Sequence, residues 1–173
     1  MTNYGLLPLF PLFLYRGKFQ THSKWKEKIF PIIKRRYEEQ NGSNSSSWNC
    51  DCYTSFFDDS MAEFYPNSFF VSQQWFNAYG SGQNQEGHNH VPSHLSGVYY
   101  INYNPDKHNS TSFMNPNKMF YEAPRYNIQE YDPTLYGYGC YQEEMRPTIE
   151  EGDVVIFPAS AFFSYSKTFS RVF

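Results

Sequence analysis

The sequence predicts a mainly β protein, a barrel or jelly roll with one N-terminal amphipathic helix packed on it. Two observations give the class. From Trp48 onward, apolar and aromatic residues come in short runs between turn pairs such as Asn104-Pro105, Asn115-Pro116 and Glu151-Gly152-Asp153, the rhythm of strands in a sandwich or barrel. Helical spacing, by contrast, shows in one segment alone, residues 22–40. A third observation describes the core. Aromatic residues make up 21% of the 173, whereas Leu, Ile and Val together number only 20, so rings must fill the interior.

Taken in order, residues 4–15 mix Leu, Phe and Tyr with Pro8 and Pro11, as an extended segment or edge strand would. From His22 to Gln40, Trp25, Ile29, Ile32, Ile33 and Tyr37 recur every three or four positions, which predicts a helix with Lys and Arg on its far face. Trp25, Ile29, Ile33 and Tyr37 should be buried, and Lys26, Lys34 and Arg35 exposed. Ser23 is a candidate N-cap, and Pro31 should kink or restart the helix. Residues 41–47 (NGSNSSS) read as a loop. Strands are expected at 48–57, 69–79, 95–104, 111–114, 119–123, 142–149 and 153–157.

A mass of 20.5 kDa suits one domain spanning residues 1–173, with 1–47 as its strand and helix cover. A net charge of only −3 argues against disorder of the whole chain. The apolar run Leu6 to Tyr15 is too short to span a membrane and lacks the features of a signal peptide, so a soluble, cytoplasmic protein is expected. Cys50, Cys52 and Cys140 fit free thiols better than a metal or redox motif. Residues 1–40 carry a net +5 and the remainder −8, yet no nucleic-acid motif accompanies the basic segment. It reads as a solvated helix face. Neither a membrane nor a nucleic acid is indicated as partner, and the oligomeric state is not legible.

Chemistry concentrates in one place. Four of the five histidines lie between positions 88 and 108, three of them in His88-Asn89-His90-Val91-Pro92-Ser93-His94. On a strand, His88 and His90 would share a face with Cα atoms about 6.5–7 Å apart, as two ligands of one metal require. Gly80, Gly82 and Gly87 would let the chain bend at a barrel mouth. A polar loop whose histidines bind water and backbone would show the same residues. His94 is a third candidate ligand, although Pro92 should break the strand register before it. Tyr79 is either a hydroxyl donor to a bound co-substrate or a core residue. Glu150, Glu151 and Asp153 read as a solvated acidic turn, and His22 and His108 as exposed side chains.

Set in order along the chain, Trp75-Phe76-Asn77-Ala78-Tyr79, His88-x-His90, Ser96-Gly97-Val98-Tyr99-Tyr100 and Gly152-Asp153-Val154-Val155-Ile156-Phe157-Pro158 resemble the Fe(II)/2-oxoglutarate-dependent oxygenases of the double-stranded β-helix fold, in a branch common in phages of marine cyanobacteria. The resemblance covers roughly residues 70–160, and Gly5-Leu6-Leu7-Pro8-Leu9-Phe10 and the following helix are similar too. It implies Fe(II) and 2-oxoglutarate as cofactor and co-substrate, and oxidation of a C–H bond in a substrate the sequence does not name.

Residue by residue, the resemblance implies His88 and His90 as metal ligands, with His90 standing where most members place a carboxylate. The distal histidine expected about five residues after Phe157-Pro158 is replaced by Phe162 and Phe163. Arg171 is the one residue placed to pair with the far carboxylate of 2-oxoglutarate, and Tyr79 would lie near that co-substrate. The missing histidine, and a sequence that stops two residues after Arg171, suggest a truncated or frame-shifted copy that binds Fe(II) weakly and turns over poorly. Two other readings stand beside this one. Gly82, five residues and His88-x-His90 also match the first half of a cupin motif, and a non-catalytic binding member of the same fold would account for the lost ligand.

Overall fold

The computed structural model describes residues 12–40, 52–56, 73–116 and 144–165. Nine strands and one helix follow in the order β1 (Tyr15–Lys18), α1 (His22–Glu39), β2 (Tyr53–Thr54), β3 (Asn77–Ala78), β4 (Gln85–His88), β5 (Leu95–Tyr99), β6 (Ser112–Met114), β7 (Glu144–Met145), β8 (Asp153–Pro158) and β9 (Phe163–Tyr165). The described fold is mainly β, and every strand pairing in it is antiparallel. The strands form three sheets, ordered β1-β8-β5, β2-β3 and β4-β9-β6-β7.

Strand β8 organises the first sheet. Its sequence DVVIFP buries alternate residues, Asp153, Val155, Phe157, so one pleat face points inward. Phe157 meets Phe113 of β6 and Phe163 of β9 with ring centroids 4.8 and 5.0 Å apart. The main core thus lies between the β8 sheet and the β9 sheet. It is built from Tyr100, Phe113, Ile149, Val155, Phe157, Ala161 and Phe163, in which aromatic side chains supply most of the volume, as the composition demands. A second core joins Ile29 and Ile33 of α1 to Tyr53, Phe76 and Ala78, seating the helix on β2 and β3.

The helix matches its predicted span, with corrections in detail. Ile29 and Ile33 are buried, while Trp25 and Tyr37 are half-buried against the same cluster. Thr21, not Ser23, stands at the N-cap, and it makes no side-chain capping bond. Pro31 lies on the exposed side of a helix that continues past it. Lys34 and Arg35 are exposed, but Lys26 is not. Its ammonium lies 2.6 Å from Glu151 Oε2 and 3.1 Å from Asn102 Oδ1, because the turn before β8 comes up against this side of the helix.

Of the acidic turn only Glu150 is solvated as expected, while Glu151 is half-buried and Asp153 buried. Asp153 is 2% exposed and receives Arg16 Nε at 2.7 Å, Lys18 Nζ at 3.2 Å and the Glu150 N–H at 2.8 Å. Burial alone would raise its pKa, yet these three donors outweigh burial and hold it below the usual carboxylate range. Glu151 follows the same logic: burial pushes upward, and Lys26, the Tyr103 N–H and His22 outweigh it. His22 is half-buried between Tyr99 and Glu151. His108 is buried, its Nδ1 accepting the Asn104 N–H at 2.9 Å. The sequence predicts both at the surface, and each instead hydrogen-bonds to a neighbouring turn.

Among the described residues the strands cover only parts of the expected runs, 53–54 of 48–57, 77–78 of 69–79, 95–99 of 95–104 and 144–145 of 142–149, with 48–51, 57, 69–72 and 142–143 outside the described residues. The segments 4–11, 41–47 and 119–123 lie outside the described residues, as do Cys50 and Cys140. Cys52 is buried and free. No described helix is long and apolar enough to cross a membrane.

Candidate metal centre

The histidine pair sits at the junction of β4 and the turn that follows it. Strand β4 ends at His88, so the two-residue strand period does not place His90. The turn does: the His90 N–H donates to the Ala159 carbonyl at 2.9 Å, and the Ala159 N–H donates to the His94 carbonyl at 3.0 Å. The 90–94 turn is thereby tied to the turn between β8 and β9. The expected meeting of the two imidazoles still occurs, with ring centroids 5.1 Å apart. Two imidazoles bound to one metal at ~2.0–2.1 Å, at a roughly tetrahedral angle, would have centroids about 5 Å apart.

Each ring is oriented from behind. The His88 Nδ1–H donates to the Glu86 carbonyl at 2.8 Å, which puts the lone pair on Nε2. His90 Nδ1 lies 2.7 Å from Ser96 Oγ, and donation by Nδ1–H to that hydroxyl leaves its Nε2 lone pair likewise available. The arrangement matches the hydrogen bonds that commonly orient metal-ligating histidines. His90 Nε2 is buried and has no hydrogen-bond partner. Burial, and then the neighbouring His88, lower the His90 pKa to about 4, so its imidazole is neutral near pH 7, the form that ligates a metal.

The third side of this site is apolar. Phe163 is paired with His88 across β4 and β9, and its ring centroid lies 4.5 Å from His88 and 5.0 Å from His90. Trp75 stands edge-on to His90 at 5.1 Å and Phe56 edge-on to Trp75 at 4.9 Å. Among the described residues, no three His, Cys, Asp or Glu side chains converge as a metal site would require. His94 is exposed at the far end of the 90–94 turn and does not form such a group with His88 and His90. Tyr79 is buried, its ring stacked on Tyr165 at 4.0 Å and its hydroxyl donating to Gln85 Oε1 at 2.7 Å. Arg171 lies outside the described residues.

A family model described as "Putative 2OG-Fe(II) oxygenase" matches residues 73–170, more than half of the chain and the whole histidine-bearing region. The chain belongs to this family. No curated protein matches it at a significant level. The family description implies Fe(II) and 2-oxoglutarate in general, and the residues in place meet that requirement only in part. Two oriented imidazoles, one with an orphaned buried nitrogen, suit a metal. A phenyl ring offers no donor, and two ligands fall short of the facial three that such iron sites use. The described residues therefore do not make up a complete Fe(II) site.

The sequence pointed to His88, His90 and Phe163. It did not single out Ser96 as the partner of His90 or Trp75 as a wall of the site, although both lie within the runs that carry the family resemblance. Distance along the chain does not show which of those residues turn toward the histidines.

Proposed function

We propose that this chain is a single-domain, double-stranded β-helix member of the oxygenase family whose metal position has decayed, so that it serves as a binding scaffold with little or no 2-oxoglutarate turnover. Under this reading His88 and His90 hold Fe(II) weakly, and 2-oxoglutarate, Tyr79 and Arg171 belong to the ancestral co-substrate side of the site. One observation carries it: Phe163, directly opposite His88 on the adjacent strand, occupies with an apolar ring the flank where a third donor is needed. The antiparallel sheets facing each other across an aromatic core support the jelly-roll scaffold. His94 as a third ligand, and a cupin-like metal site, are the competing assignments.

An anaerobic calorimetric titration tests the reading. Fe(II) should bind weakly to the unmodified chain, with no gain from 2-oxoglutarate, and the residual binding should vanish in the His88→Ala/His90→Ala double variant. Tight binding that 2-oxoglutarate strengthens would mean that the site is complete. Tight binding lost in His94→Ala would assign that residue as the third ligand.

A further inference from the structure

The sheet β1-β8-β5 has a second face, turned away from the core, and it too is apolar. Val155 and Phe157 of β8 point to the core, with Leu14 and Val98 packed inward beside them. Successive side chains of a strand alternate, so Val154, Ile156 and Pro158 lie on the reverse. Register puts Tyr15, Ile156 and Gly97 in one row across the three strands. Val154 and Tyr99 share the next row, and Leu95 lies beside Pro158. Phe19 continues the face, its ring 5.3 Å from that of Tyr99. None of these residues is charged. An antiparallel sheet with one face on the core ordinarily turns polar side chains to water on the other. Here Tyr15 is 59% exposed, Leu95 54% and Phe19 36%, and Phe13, just ahead of β1, 58%.

We infer that this face is covered in solution by the same face of a second copy of the chain, through a two-fold axis along β8 that sets Tyr15 of each copy on Gly97 of the other. Ile156 lies midway between these two residues, one strand spacing of about 4.8 Å from each, so such an axis exchanges their positions. One is a projection and the other a gap. The Tyr15 ring stands over Gly17, where a Cβ would meet its Oη at 2.7 Å. Gly97 is exposed, and a Cβ there would meet nothing nearer than the Val155 carbonyl at 3.4 Å. A closed two-fold contact needs such a pair, because what one copy offers the other must receive. The area is sufficient. At these exposures the face presents about 600 Å² per copy, so a pair would remove about 1,200 Å² from water, the low end for a specific interface. A lipid surface suits the face less, since Arg16 and Lys18 at its border are engaged with Asp153 and Glu150 and not left for headgroups.

Sedimentation velocity of the full chain over a concentration series provides the test, in EDTA so that no metal bridges two copies. A monomer–dimer equilibrium with Kd in the micromolar range is expected for an interface of this size. Tyr15→Glu and Leu95→Glu should each raise Kd about tenfold or more, by taking a carboxylate into apolar contact. Gly97→Val separates the stated packing from general stickiness. It adds apolar surface and suits a strand, yet it fills the gap and should also raise Kd about tenfold. Met145→Glu, at an exposed apolar residue of β7 in another sheet, should leave Kd unchanged. Circular dichroism establishes that each variant is folded, and Phe19→Glu replaces either glutamate variant that is not. A chain that stays monomeric overturns the inference, as does a dimer that ignores the face variants or that Gly97→Val tightens. Monomers that float with neutral phosphatidylcholine vesicles, and cease to in Tyr15→Glu, would overturn it in favour of a lipid surface.

Discussion

Replacing Phe163 by histidine would exchange one kind of stability for another, and the sizes can be worked out. Phe163 is buried and in ring contact with Phe157, Phe113, His88 and His90. Giving up most of a buried phenyl group in favour of a polar imidazole costs about 2 kcal/mol. For a chain of this length each kcal/mol moves the melting temperature by about 2–4 °C, so the metal-free variant should melt about 4–8 °C below the unmodified chain. Fe(II) should reverse this. Loss of a mere supporting hydrogen bond around a metal typically costs 10–100-fold in affinity, so a third imidazole should tighten Fe(II) binding by at least ~10-fold. At a free metal concentration one hundred times Kd, binding returns about 2.7 kcal/mol, enough to cancel the loss. Anaerobic scanning calorimetry of both chains, with and without Fe(II), reads the crossing directly. If Phe163→His binds iron no better than the unmodified chain and its melting temperature ignores the metal, Phe163 does not stand at the missing ligand's place.

Four further predictions concern the frame around the site. Asp153→Asn should cost about 1–3 kcal/mol, because charge-assisted bonds from Arg16 and Lys18 weaken while both cations, being partly exposed, stay solvated; urea denaturation measures it. Asp153 and Glu151 have depressed pKa values in the folded state, so their stabilisation is present above their unfolded values of ~4 and is lost as pH falls below them. In Asp153→Asn the acid limb of the stability profile should be shallower, and an unchanged limb would contradict the assignment. Gly152→Ala should destabilise by at least ~1–2 kcal/mol, since φ is +86° and a Cβ would come within 2.9 Å of His22 Cγ. Ile29→Ala should cost about 2–5 kcal/mol by opening a cavity under α1, and a loss below 1 kcal/mol would show that the helix contributes little to the fold.

The helix was readable because its own period marks one face, and Ile29 and Ile33 are the buried residues it names. Period says nothing of what meets the polar face, so Lys26 was misplaced: its partner Glu151 comes from a turn 125 positions away. Asp153 was misread for the same reason, its ligand Arg16 lying 137 positions distant on β1. Strands β4 and β9 were not recognised as such. Gln85-Glu86-Gly87-His88 shows little apolar alternation, and β9 is only three residues long. These two strands nevertheless bring Phe163 opposite His88. The H-x-H spacing led to the right pair for an incomplete reason, since a turn pinned at Ala159, and not a continuous strand, carries His90 to its neighbour. The mainly β class was legible from the rhythm of strands and turns, and the division into the sheets β1-β8-β5 and β4-β9-β6-β7 was not, because pairing depends on contacts that no local window contains.

On the proposed reading, a family scaffold with two imidazoles and a phenyl ring beside them does not run the family's reaction. Succinate released from 2-oxoglutarate by the unmodified chain, in air with saturating Fe(II) and ascorbate, tests this most directly when set against the His88→Ala/His90→Ala double variant. The two proteins should release succinate at the same background rate. Many turnovers by the unmodified chain, abolished in the double variant, would contradict it and show that a third ligand completes the iron site.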